Sequence, residues 1–278
     1  MSKSIYFLAG LPRSGSTLLA NILAQNPSVY VTPTSGIVDM LVQVRNHWDK
    51  NDAFQAADRK LNEKIKERVL RAMLDAYFSH TDKPICIDKN RYWMEFLEMA
   101  SALLGGRDKI KIIVTVRDLR DTVASFERLY RKTSELGQIH QEANLALKFK
   151  TALGRVETFI DDGQPVGRAF NAIRDAVTRG WRDRMHFVDY VDLTHRPAET
   201  LGKIYEFLGT PSHTHNFEHV EQATIEDDFI YGFKNLHLIR SQVRPQGPQW
   251  PTVFDDAVFR TQIWKNIEAA AEFWKVYR

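Results

Sequence analysis

Apolar residues in this chain form short continuous runs, and between the runs they recur every three or four positions, so strand-like and helix-like periods alternate from one end to the other. Ile5 to Ala9 predicts a short buried strand, Gly10 to Gly15 a tight loop, and Ser16 to Gln25 a helix with Leu18, Leu19, Ile22 and Leu23 apolar. Ser28 to Thr32 predicts a second strand on Val29-Tyr30-Val31. Pro33-Thr34-Ser35-Gly36 is then a turn, and Ile37, Leu41 and Val44 mark a helix to about Arg45. From Asn51 to about His80 the pattern is charged and helical, with Leu61, Ile65, Val69, Met73 and Tyr77 read as one stripe. Pro84-Ile85-Cys86-Ile87 is a strand stopping on Asp88 and Lys89. Trp93 to Leu104 is a helix closed by Gly105-Gly106, and Lys109 to Val116 is another strand, followed by a helix through Leu129.

Further on, Ala143 to Ile160 carries Leu145, Phe149, Leu153, Val156 and Ile160 on one face, and Phe170 to Trp181 is helical again. Met185 to Leu193 predicts a strand, followed by a helix with Leu201, Ile204, Tyr205 and Leu208 that ends at Gly209. Thr210 to Pro251 is irregular. Phe254 to Tyr277 predicts an amphipathic helix whose Trp264 and Trp274 either pack on the core or serve self-association as a homo-oligomer. Strands alternating with helices imply an α/β fold, one doubly wound and mainly parallel sheet flanked by helices, in a single domain over residues 1–278.

Composition narrows the partners more than the fold. A net charge of only +3 over 278 residues gives no chain-wide field for nucleic acid, leaving local arginine clusters to attract anions. The one cysteine, Cys86, lies in an apolar strand and cannot form an internal disulfide, so the fold needs no oxidising compartment. The first apolar run stops at Arg13, too short for a membrane span, and a cytoplasmic protein is expected. His213, His215, His219 and His237 match no metal-ligand spacing, and no metal is expected.

The chemistry concentrates in the first loop. A strand, a glycine loop and a helix N-terminus present free backbone N–H groups and a positive dipole end to an anion. Gly10-x-x-x-x-Gly15-Ser16-Thr17 matches the phosphate loop of NTPases except that Ser16 stands where those enzymes carry a lysine. Loss of that lysine argues against phosphoryl transfer, while Arg13 inside the loop offers a planar fork to oxyanions. Asp88 and Lys89, at the carboxyl end of their strand, are placed where open α/β sheets bind ligands.

Pro12-Arg13-Ser14-Gly15-Ser16-Thr17 after an N-terminal strand resembles the 5′-phosphosulfate loop of sulfotransferases that use 3′-phosphoadenosine 5′-phosphosulfate (PAPS). A second motif of that family is present too: Ile112 to Val116 runs into Arg117-Asp118-Leu119-Arg120-Asp121, with Ser125 eight residues after Arg117. The resemblance implies a P-loop-like sulfotransferase fold. It implies a 5′-phosphate at Pro12 to Thr17, a 3′-phosphate at Arg117 and Ser125, and Lys89 beside the transferring sulfuryl group. It also points to Tyr190 for the adenine ring, against a core tyrosine, and to Arg240, Ser241 and Arg244 as a late basic segment over the phosphates, against plain surface charge.

The expected reaction is metal-independent, in-line transfer of a sulfuryl group to a hydroxyl or amine, leaving adenosine 3′,5′-bisphosphate (PAP), with Arg13, Lys89 and the loop amides stabilising the leaving phosphate. The acceptor's class is open among small molecules, glycans, lipids and peptides. Tyrosylprotein-type members carry a glutamate base 21 positions after the loop arginine, and that count lands on Thr34, which cannot take up a proton at neutral pH. Asp88, Asp39 and His237 are the substitutes considered. The rival functions are a P-loop nucleotide or small-molecule kinase, and a nucleotide-binding module without catalysis.

Overall fold

In the computed structural model, which describes residues 3–134 and 150–277, the N-terminal apolar run is the central strand of the molecule. This strand, β1 (Ser4–Gly10), is followed by α1 (Ser16–Leu23), β2 (Val29–Thr34), α2 (Ile37–Lys50), α3 (Asp52–Ala56) and α4 (Arg59–Tyr77). Next come β3 (Ile85–Lys89), α5 (Leu97–Leu104), β4 (Ile112–Val116), α6 (Leu119–Ser134), α7 (Ala152–Ile160) and α8 (Pro165–Thr178). The chain ends with β5 (Met185–Asp189), α9 (Tyr190–His195), α10 (Pro197–Leu208), α11 (Asp256–Phe259) and α12 (Gln262–Ala269).

All pairings among the five strands are parallel, in the order β2-β3-β1-β4-β5. A parallel sheet must be covered on both faces. One face packs Phe7, Val114 and Val116 under α2, α4, α5, α6 and α8; the other packs Leu8, Ile87 and Ile113 under α1 and α10. The chain turns to opposite sides of β1 to make β3 and β4, so a crevice opens at the carboxyl ends of β1 and β4, where α/β sheets bind ligands.

Four expectations are corrected. The stripe on α4 is not a face: Leu61, Ile65 and Val69 are 58, 41 and 37% exposed, while Leu70 and Leu74 are buried. Residues four apart advance ~400° around a helix, so a strict four-residue stripe drifts ~40° per step and leaves the contact line. The last strand stops at Asp189, whose side chain accepts a hydrogen bond from Val191 N and caps α9, so Tyr190 to Leu193 are helical. The tail is not one helix but α11, α12 and a 3-10 turn, and Trp264 and Trp274 are buried in the core, with Trp274 Nε1 donating to Asp189 Oδ2 at 3.2 Å. Strand β2 runs on through Pro33 to Thr34, with a register shift before Thr34; it is an edge strand, where a proline removes no ladder bond. The predicted face at Leu145 and Phe149 lies outside the described residues.

Gly10 closes β1 against β4 with φ +128°, and a Cβ there would stand 2.1 Å from Thr115 O. Gly10→Ala is therefore expected to lower the free energy of unfolding by at least about 2 kcal/mol, from a left-handed backbone and a backbone clash that cannot relax sideways. Urea denaturation measures this, and an unchanged midpoint would contradict the close approach.

Candidate functional site

After Gly10 the chain turns over the end of β4. Leu11 N donates to Thr115 O at 2.8 Å, Arg13 takes a left-handed φ of +60°, and Gly15 caps α1 with φ +88° and no side-chain cap. Ser14 is fully buried, and its hydroxyl bonds Thr115 Oγ1 at 2.7 Å as well as Leu11 O, so it ties the loop to the sheet and leaves only its amide for a ligand. A Cβ on Gly15 would meet the Tyr190 ring at 2.7 Å. Among the described residues the backbone N–H groups of Arg13 to Thr17 donate no hydrogen bond, the condition of an unpaired helix start.

Two arginines meet over this loop. Arg13 Nε donates to Ser125 Oγ at 3.1 Å and its Nη1 to Leu236 O; Arg117 Nη1 donates to Arg13 O at 3.3 Å. Arg117 is buried, stacks over the Tyr190 ring at 4.5 Å and lies 3.6 Å from Asp121. Burial and then the Arg117 charge pull Arg13 down to about 10, with Tyr190 and Asp228 acting in the opposite direction. Arg117 Nε is buried and has no hydrogen-bond partner among the described residues. The two motifs, 104 residues apart between Arg13 and Arg117, thus form one cationic pocket with a donor left unmet. Helix α6 begins at Leu119, after Asp118 has bonded Arg120 N, which turns Ser125 back toward Arg13.

Lys89 lies on the other side of the loop. Its Nζ donates to Thr34 Oγ1 at 3.0 Å and pairs with Glu226 Oε1 at 2.9 Å, both ion-pair side chains being under a tenth exposed. Burial lowers Lys89, with Glu226 opposing. For Glu226 burial acts upward, but the Lys89 charge and hydrogen bond, the Thr34 hydroxyl and His237 hold it below the ordinary range. His237 Nδ1 lies 2.6 Å from Asp228 Oδ1 and 3.3 Å from Glu226 Oε2, and its backbone N–H donates to Asp228 Oδ2 at 2.9 Å. Burial and then Lys89 lower His237, against the pull of both carboxylates.

Glu226 and Asp228 were not foreseen, because they sit in a stretch with no periodicity; the run Glu226-Asp227-Asp228 was the available signal. Their position is set from α1. Buried Asn21 accepts hydrogen bonds from Ala223 N and Thr224 N and donates to Thr224 Oγ1, fixing the chain two residues before Glu226 to the helix that carries the phosphate loop. The other late residues go elsewhere. Arg240, Ser241 and Arg244 are exposed, among the described residues no hydrogen bond or ion pair joins the two arginine side chains to the loop, and Ser241 O is paired with Val220 N. Asp39 is exposed on α2, apart from this cluster. Among the described residues no group of three His, Cys, Asp or Glu is arranged to hold a metal ion, and no helix is long and apolar enough to cross a membrane.

A family model described as "Sulfotransferase family" matches residues 6–214. A protein-tyrosine sulfotransferase of Drosophila melanogaster is 21% identical over 218 residues, covering 74% of this chain and 38% of the relative. Protein-tyrosine sulfotransferase A of Caenorhabditis elegans is 23% identical over 211 residues, covering 74% and 50%. The chain thus spans half or less of these curated relatives. Among solved structures, the sulfotransferase domain of the Synechococcus PCC 7002 olefin synthase superposes with a TM-score of 0.59 at 17% identity, over 99% of this chain and 95% of that one. A mouse sulfotransferase complexed with PAP superposes with a TM-score of 0.54 at 16% identity, over 100% and 89%. Both share the fold of this chain.

Asp88 stays outside the site. Neighbouring strand residues face opposite sides of a sheet, so Asp88 turns from the Lys89 side into the core, fully buried, with Trp93 Nε1 donating to it at 2.6 Å and Thr32 Oγ1 at 3.4 Å. The structure thus places Asp88 in the core and not beside Lys89 in the pocket, where it was expected as a catalytic residue. Burial raises its carboxyl from 3.8 to about 6, against the Trp93, Ser35 and Thr32 hydrogen bonds. A raised native pKa means that the folded state binds the extra proton: the contribution is complete below about pH 4 and is lost as pH rises through about 6, on the order of 3 kcal/mol in all. Asp88→Asn is expected to flatten that part of the stability profile in urea titrations between pH 4 and 7. An unchanged slope would show that Asp88 is not the titrating group.

Proposed function

Because the chain belongs to the sulfotransferase family, whose model covers three-quarters of it, we propose that it transfers a sulfuryl group from PAPS to an acceptor hydroxyl or amine and releases PAP. One observation carries this: the glycine loop and the Arg117–Ser125 motif, far apart in sequence, are joined through Arg13 into a single pocket. Its donor set fits a ligand with phosphates at both ends. Amides 13–17 and Arg13 suit the 5′-phosphosulfate, and Arg117, with its unmet Nε, and Ser125 suit the 3′-phosphate. Tyr190, under Arg117 and against Gly15, is the proposed adenine-side contact.

PAPS supplies an activated sulfur with a phosphate leaving group. The chain binds and orients it, and Arg13, Lys89 and the loop amides oppose the negative charge that develops on the bridging oxygen. These donors are fixed before reaction by Ser125, Leu236 O and Thr34, so little reorganisation is needed. Ser16, in place of a lysine, leaves the loop without the cation on which phosphoryl transfer depends.

For the acceptor, the proposal is a phenolic hydroxyl presented by a peptide, supported by what the curated relatives are named for. The segment carrying Glu226 and His237 also exposes Ile225, Ile230 and Leu238 at 82, 80 and 62%, an apolar rim suited to an aromatic acceptor. A cytoplasmic site of action is proposed with it, on a fold that holds its one cysteine buried and free.

Calorimetric titration without divalent metal is expected to show PAP binding, weakened at least tenfold, or about 1.4 kcal/mol, in Arg117→Ala. Binding of Mg²⁺–ATP alone would overturn the sulfotransferase function in favour of a kinase.

A further inference from the structure

The site has cations for the leaving group, yet Thr34 cannot accept the acceptor's proton, and Asp88 faces the core. The proton must go to another group within the same pocket. Three side chains of one late segment converge there: Glu226 on Lys89, Asp228 on the His237 ring and backbone, and His237 between the two carboxylates.

The orientation of His237 is settled by its partners. A ring nitrogen 2.6 Å from a carboxylate oxygen carries a proton, so a neutral imidazole here is the Nδ1–H tautomer with its lone pair on Nε2. Among the described residues the hydrogen bonds of His237 run through its backbone N–H and Nδ1 and none through Nε2, and the side chain keeps 13% of its surface exposed. Asp228 holds the ring at Nδ1 and the main chain at the His237 amide, which removes both rotations that would swing Nε2 away. The groups facing the ring are Lys89, Glu226, Asp228 and the edge of Tyr231, whose centroid is 5.4 Å away. Glu226 Oε1 is paired with Lys89, while Oε2, buried and with no hydrogen-bond partner among the described residues, lies 3.3 Å from Nδ1 and turns the second carboxylate oxygen toward the imidazole.

We propose that His237 is the proton acceptor of the transfer reaction, with Asp228 and Glu226 as positioning residues that stabilise its imidazolium. The inference rests on the sulfotransferase function proposed above. In the step, a lone pair on the acceptor atom forms the bond to sulfur. The sulfur–oxygen bond to the 5′-phosphate breaks with its electron pair on the phosphate oxygen, and the acceptor's proton passes to His237 Nε2, later to be lost to water. The same segment thereby replaces, from the far end of the chain, the base missing at Thr34.

Two measurements test this. In protein labelled with ¹⁵N-histidine, His237, identified by loss of its signals in His237→Gln, is expected to be the neutral Nδ1–H tautomer at pH 7, and Asp228→Asn is expected to shift it toward Nε2–H. An Nε2–H tautomer or an imidazolium in the unaltered protein would overturn the assignment. Turnover with PAPS and two acceptor probes then separates a base from a scaffold. His237→Gln is expected to lose 10²- to 10⁴-fold in kcat with N-acetyltyrosinamide, whose phenol must be deprotonated, and far less with 4-nitrophenol, which is already largely ionised near neutral pH. Its PAP affinity by calorimetry is expected to stay within about threefold. Equal losses with both probes would assign His237 a structural role only. Failure of the unaltered protein to bind PAP would instead overturn the sulfotransferase function, whichever tautomer is found.

Discussion

Two like charges held together, one buried and the other half-buried, set the terms for the rest of this site. Arg13 and Arg117 share the end of β1 and β4, one donating to the other's carbonyl, and their mutual repulsion adds to the desolvation that already lowers Arg13. Burying an arginine pair is unfavourable unless countercharge is close. The structure supplies it sparingly: Asp121 is 3.6 Å from Arg117, and Asp228 acts on Arg13 through space while its own oxygens are turned to His237. The close packing of Gly10 on Thr115 and of Ser14 under the loop holds the pair in place. The result is a fixed deficit of negative charge at the point where a parallel sheet opens to ligands.

That deficit also organises the late, irregular segment. Residues 223–239 make no regular ladder, yet they are pinned at several points: by Asn21 at Ala223 and Thr224, by Lys89 at Glu226, by Asp228 at His237 and by Arg13 at Leu236 O. Each anchor is a polar bond to α1, to the loop, to the sheet end, or within the segment itself. A segment held in this way keeps a definite geometry with only the short 3-10 turn Asp228–Tyr231, and it places polar side chains where strands cannot.

The limits of what could be read from the amino-acid order follow from the same distinction. Local signals were sufficient where an apolar run or a capping residue decides the outcome: β1, β3, β4 and the start of α1 lie within a few residues of their expected places. The periodic stripe on α4 misled because spacing by four imitates a face over two turns and departs from it over five. Asp88 and Lys89 were indistinguishable as neighbours at a strand end; only the pleat, fixed by pairing with Phe7 and Leu8, sends one into the core and the other to the pocket. Glu226 and Asp228 were beyond reach because their placement depends on Asn21, some two hundred residues earlier, and no local pattern encodes such a contact.

The charges of the pocket further suggest why its acid and base halves share Lys89. Lys89 neutralises Glu226, and the same ammonium opposes a proton on His237; burial and the lysine are the two leading influences on that ring. An anion seated on the loop competes for Lys89, since a phosphate oxygen offers it more charge than one carboxylate already shared with Thr34 and His237. One ammonium thus bears on both halves of the site: it stands on the side proposed for the leaving phosphate, and it is a leading influence on the proposed proton acceptor.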